Sequence, residues 1–349
     1  MRYPKFLLSL LCLCLTSSAL ADDAWQSIES PVTTELRGLS VVNQQIAWAS
    51  GAKGTVLRTL DGQNWQQLQV DHAAAGQLDF RAIKAFDAYH AYLMSAGPGT
   101  ASKLFVTQDG GQHWQLLTSQ DQPTGFWNAM VWSGPQQGLL FGDPLNQQFE
   151  LKHSLDAGKS WQTLRHPALQ ALAQEGAFAA SGTCIQQSAG LTYFVSGGAS
   201  HSRIFIGQPE SNQWFSANLP LAAAAPSKGA FSVLFLNPLQ ALVVGGDYQQ
   251  AHLAGINAAR SNDGGKSWQA LSIQPQGFYS VVAAVPGEAQ VAVAGGLAGI
   301  SWTKDAGLSW QALSQRAVNT VAFSSAKDGW AIGPKGLILK YRGPALTAR

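Results

Sequence analysis

The octapeptide SNDGGKSW at Ser261–Trp268 constrains this chain more than any other stretch, because it comes back. Its pattern, S/T-x-D-x-G-x-x-W, recurs at Thr107–Trp114, Ser154–Trp161 and Thr303–Trp310. A copy one residue shorter occupies Thr59–Trp65, and a worn one ends at Trp214. Each position has a mechanical reason. The Asp carboxylate (Asp61, Asp109, Asp156, Asp263, Asp305) accepts N–H groups of its own turn, and the Ser/Thr hydroxyl ties down the same loop. The Gly takes a backbone angle that a Cβ would forbid. The Trp opens the next strand and buries a large ring against a neighbouring unit. The motif is a hairpin staple, structural in purpose.

Around these staples the chain divides into units. Seven apolar segments open them: LRGLSVV from Leu36, FRAIKAF from Phe80, FWNAMVW from Phe126, AFAASGT from Ala177, AFSVLFL from Ala230, FYSVVAA from Phe278 and AVNTVAF from Ala317. A second strand ending in Gly or Ser follows each, the third leads into the staple, and the fourth begins at its Trp. The Trp residues stand roughly 40–55 residues apart, the size of a propeller blade, with the longer intervals in the fourth and fifth units. The seventh unit lacks a Trp strand of its own, whereas Trp25 starts one, WQSI, near the N-terminus. The predicted fold is therefore all-β: one seven-bladed β-propeller of four-stranded antiparallel blades, closed by the N-terminal strand joining the last blade. Pro167 begins PALQALAQEGAF, which reads as a short helix in the loop before the fourth blade. The Ala run at 221–225 lies between Pro220 and Pro226 and reads as a connector.

Composition narrows the partners. Only 12% of the 349 residues are charged, while Gly (36) and Trp (12) are abundant, a balance that suits short strands and tight turns. Residues 1–21 read as a secretory signal peptide. Arg2 and Lys5 form the basic region, Phe6–Leu15 the apolar one, and Ala19-Leu20-Ala21 the cleavage site, with the cut after Ala21. Cys12 and Cys14 each follow Leu and not a small residue, which argues against lipidation. Residues 22–349 then form the propeller, periplasmic or secreted, with no transmembrane anchor left after cleavage. Loss of Arg2 and Lys5 leaves equal numbers of acidic and basic groups, so nucleic acid is not an expected partner. Cys184 alone remains, which excludes an internal disulfide, and it sits in a small-residue run suited to core. The His residues show no metal-ligand spacing and no nicotinamide, flavin or haem fingerprint is present, so neither metal nor cofactor is expected.

An up-and-down meander places its two-to-three turns and its blade links on one face, opposite the staples. Binding residues favour such loops on a rigid scaffold. That face collects Arg37 and Arg81 at the start of inner strands and Trp127 with Asn128 in the third blade. Its loops add Ser95, Asp143, His201, Asp247 and Tyr248, and the long loop after Tyr248 adds Arg260. Arginines and carboxylates at one channel mouth suit an anionic or sugar-like ligand. Each also has a plainer reading. Asp143 before Pro144 serves equally as a turn residue, Arg81 and Asp247 as a structural ion pair across the channel, and the histidines as solvated loop residues.

Several stretches carry a family resemblance: WASGAKGTVLRTLDGQNW from Trp48, DFRAIKAF from Asp79, GPGTASKLFVTQDGGQHW from Gly97, AFAASGT from Ala177, GGDY from Gly245, NAARSNDGGKSW from Asn257 and WAIGPKGLILKY from Trp330. The chain after residue 21 resembles the photosystem II stability/assembly factor family, part of the BNR/Asp-box, sialidase-like propeller superfamily. The resemblance implies a non-catalytic scaffold that holds a protein partner, here one in the cell envelope. The superfamily also implies a second reading, a glycoside hydrolase acting on a glycan at the channel mouth. A sialidase needs an FRIP arginine, two further arginines and a Tyr–Glu pair. FRAI at Phe80 departs from that pattern. Arg81, Arg203 and Arg260 offer a triad, Tyr248 or Tyr279 a nucleophile and Asp143 or Asp247 an acid, while Glu150 and Glu175 read as structural.

Overall fold

The structure, a computed structural model, describes residues 24–272 and 274–348; the expected signal peptide lies outside the described residues. The strands form seven four-stranded antiparallel sheets. Six follow the chain from inner to outer strand. The seventh is composite, ordered Trp25–Ile28, Ile338–Tyr341, Asp328–Ile332, Thr320–Ser325. Consecutive inner strands touch around a ring, blade 7 meeting blade 1, which makes the molecule a seven-bladed β-propeller. The seam is bonded as well as packed: Asn319 Nδ2 donates to Leu36 O at 2.9 Å, and Thr320 Oγ1 donates to Arg37 O. No helix among the described residues is long and apolar enough to cross a membrane.

The staples lie at three-to-four turns. In each full copy the hydroxyl donates to the Asp carboxylate (2.8–2.9 Å) and accepts the Gly N–H (2.8–2.9 Å). The other Asp bonds go to the residue before the Trp, at 2.9–3.0 Å to its amide. The motif glycine needs its freedom, since Gly265 sits at φ 83°. Bonds of this kind favour the charged carboxylate. The Ser160 hydroxyl and amide hold Asp156 down at about 2, and those of Ser267 do the same for Asp263.

Blade 4 departs from the repeat. AFAASGT was expected as its inner strand, yet that strand is Ile185–Ser188, and residues 177–183 run through the channel instead. The cause is a close approach further along the sheet. Gly197, just past the second strand Leu191–Val195, bridges both to Gly176 and to Gly229 of the next blade. A Cβ on Gly197 would meet Gly229 Cα at 2.5 Å, so only glycine lets the two blades meet here. Gly176 takes the place on that edge, and Cys184 O accepts Val195 N beyond it, so residues 177–183 loop out of the ladder between the two. The helix expected from Pro167 is a single 3₁₀ turn, Pro167–Leu169.

Candidate functional site

The displaced segment is held by side chains of the channel wall. Arg81 Nη1 donates to Ala179 O at 3.0 Å and Arg37 Nη1 to Ala180 O at 3.5 Å. Ser181 Oγ donates to Ser280 O at 2.7 Å and Thr183 Oγ1 to Ser232 Oγ at 2.7 Å, reaching blades 6 and 5. The segment is thus a plug. Its residues 177–180 floor a cavity of about 410 Å³ at the channel mouth. Residues 181–183 line a second cavity of about 290 Å³, beside Lys84, Met130 and Trp132.

The mouth cavity has two unlike halves. The polar half is Glu35, Arg37, Arg81, Asn128, Asp143 and Asn319. Arg37 pairs with Glu35 at 2.9 Å and Arg81 with Asp79 at 2.7 Å, so each guanidinium carries its own counter-ion. Burial and the neighbouring Arg81 charge lower the Arg37 pKa, partly offset by Glu35. Asp143 Oδ1 accepts from Asn128 Nδ2 and from Ala177 N, both at 2.9 Å. Burial nonetheless pushes its carboxyl up, outweighing those two bonds. The apolar half is aromatic. Phe178 stacks on Phe231 with centroids 3.8 Å apart, Phe278 meets Phe231 edge-on at 4.7 Å, and Tyr248 leans on all three.

Five expected residues therefore line one cavity: Arg37, Arg81, Asn128, Asp143 and Tyr248. The others do not. Ser95 Oγ is spent inside its own loop, on Ala101 O and Lys103 N. His201 is exposed beside Ser200. Asp247 is buried, and its carboxylate caps the turn of Tyr248–Gln250 through Gln249 N; Arg81 bonds to Asp79 instead, so the cross-channel pair is not formed. Arg260 bonds Asn262 and lines an outer cavity with Leu308, and Arg203 is bound to Glu175, so no arginine triad converges. Tyr279 is buried with its hydroxyl on Ser301. The phenylalanines of the aromatic half are not among the expected residues, although their signal is present: Phe126, Phe178, Phe231 and Phe278 each follow Gly or Gly-Ala where an inner strand is expected. Among the described residues no group of three or more His, Cys, Asp or Glu is arranged to hold a metal ion.

Comparison with known proteins rests on structure. No family model matches the chain, and no curated protein does. A solved structure of YCF48 bound to D1 peptide is 18% identical, with TM-score 0.66 over 92% of this chain and 97% of that one. YCF48 from Cyanidioschyzon merolae is 14% identical, with TM-score 0.65 over 91% and 99%. The chain is similar in fold to YCF48. A GH74 enzyme from Niastella koreensis also superposes, 11% identical at TM-score 0.56, over 89% of this chain and 53% of that one. At these identities the superpositions show a shared fold.

Asp143 gives a signed test of the mouth. Its folded pKa lies above the unfolded one, so the stability it contributes is full below the unfolded pKa and is lost as pH rises through the folded value. Asp143→Asn keeps both accepted bonds through its carbonyl oxygen and removes the buried charge. Its Tm is expected to exceed wild type by about 1–2 °C at pH 8 and to match it near pH 3, measured by calorimetry.

Proposed function

We propose that this protein is an exported, non-catalytic propeller that binds a segment of a partner protein at the channel mouth, in the cell envelope. One observation carries the reading: the mouth is half aromatic and half polar, and its guanidiniums are already paired with carboxylates of their own blades. Such a surface recognises main chain and side chains together, with its guanidiniums occupied before a ligand arrives. The likeness to YCF48 bound to D1 peptide supports a peptide ligand, and the basic, apolar and small-residue order of residues 1–21 supports export.

The test places a photo-crosslinking amino acid at Tyr248, in the mouth, and at Leu116, exposed on an outer strand. In native cells a discrete adduct is expected from position 248 and none from 116, with the mature chain starting at Asp22. Equal labelling at both positions, or a monomer alone, would remove the scaffold reading. The glycoside hydrolase reading keeps one support, since Asp143, with its raised pKa, and Tyr248 share the cavity. Aryl-glycosides and sialosides that turn over with wild type and not with Asp143→Asn would favour it instead.

A further inference from the structure

Two arginines at a channel mouth invite an acidic ligand, but their bonding is already complete in kind. Arg37 holds Glu35 and the plug carbonyl of Ala180; Arg81 holds Asp79 and the plug carbonyl of Ala179. Two positive charges meet two negative ones before any ligand arrives, and Asp143 adds a carboxyl to the same wall. An incoming carboxylate would lose its water and find guanidiniums whose charge is spent. The opposite wall is different. Tyr248 is 43% exposed although it leans on Phe178, Phe231 and Phe278, and Leu297 lines the same cavity. That wall buries apolar area as soon as something covers it, which is favourable in proportion to the area covered.

We infer that the mouth takes an uncharged apolar side chain, aromatic or branched aliphatic, from an extended segment of another protein, seated against Phe231, Tyr248 and Phe278. Arg37 and Arg81 act as latches on the plug and are positioning residues, not anion ligands. This rests on the protein-binding reading above and specifies what that binding selects. A cavity of about 410 Å³ admits one large side chain with its flanking main chain and excludes a folded domain.

The test uses the full mature chain on an array of random dodecapeptides. Peptides carrying uncharged Phe, Trp, Leu or Ile are expected to be retained, and acidic ones not. The best peptide should lose about tenfold in affinity with Tyr248→Ser, an exposed position whose change spares the fold. It should change less than about twofold between low salt and roughly 300 mM salt in the wild type, because no net charge is neutralised. Retention of acidic peptides, with binding that collapses in salt and with Arg81→Gln, would overturn the inference and leave the protein-binding reading standing. Retention of no peptide at all would remove both.

Discussion

Trp25→Ala is expected to lower the unfolding free energy by about 3–5 kcal/mol. The ring is 2% exposed, and it meets Tyr341 edge-on at 5.2 Å and Phe323 at 5.9 Å. It anchors the only strand of blade 7 that comes from the other end of the chain, in register Trp25↔Tyr341 through Ile28↔Ile338. Around it, Arg342 N donates to Ala24 O at 2.7 Å, and Arg316 Nη1 donates to Ser27 Oγ at 2.7 Å. The loss would therefore be a cavity plus a loosened ring closure, with an unpaired edge left on blade 7. Trp161→Ala removes the same side chain where it is only half-buried against Trp132, and is expected to cost about 1–2 kcal/mol, since less area is lost. Urea denaturation of both variants measures the difference. Equal costs would mean that the closing strand is ornamental.

The propeller was legible because its staples are local. Thr107, Asp109 and Gly111 bond within five residues of one another, so their spelling and their geometry are the same fact. Blade 4 is not legible in the sequence, for the opposite reason. AFAASGT has the composition of an inner strand, but Gly176 takes the bridge to Gly197 ahead of it and hydrogen bonds from Arg37 and Arg81 hold it in the channel, contacts that lie far away in sequence. The site divides along the same line. Loop position along a blade gave the correct face for Arg37, Arg81, Asn128, Asp143 and Tyr248, all of which reach the mouth. It did not give distance from the axis. Ser95 and Asp247 turn back on their own loops, and Arg260 is on a third strand, away from the channel. A strand pattern has a period of two and names a side; radius depends on which strand the residue is in and on what fills the channel.

The plug makes Glu175 the second position where a large effect is expected: Glu175→Ala should cost about 3–5 kcal/mol, as a buried ion pair losing one partner does. Its side chain is fully buried and every oxygen is engaged. Oε1 accepts Arg203 Nε at 2.9 Å and Ser196 Oγ at 2.5 Å, while Oε2 accepts Leu172 N at 2.7 Å and Arg203 Nη2. Two residues later the plug begins, and Gly176 between them exchanges both backbone bonds with Gly197, at 3.0 and 2.9 Å. Glu175 therefore fixes the point from which the chain enters the channel. Without it the Arg203 guanidinium is left largely buried over Phe205 with only Gln170 O to bond. Most of the cost is that stranded charge, so removing both charges is expected to be gentler than removing one. Glu175→Met and Arg203→Met together should destabilise by less than the sum of the singles, with a coupling of about 1–3 kcal/mol in a urea-denaturation cycle. The single Glu175→Ala should also weaken the mouth's hold on an apolar peptide, because Ala177 and Phe178, which floor and wall the cavity, hang from the same anchor. Additive singles with unchanged peptide binding would show instead that the ion pair and the plug are mechanically separate.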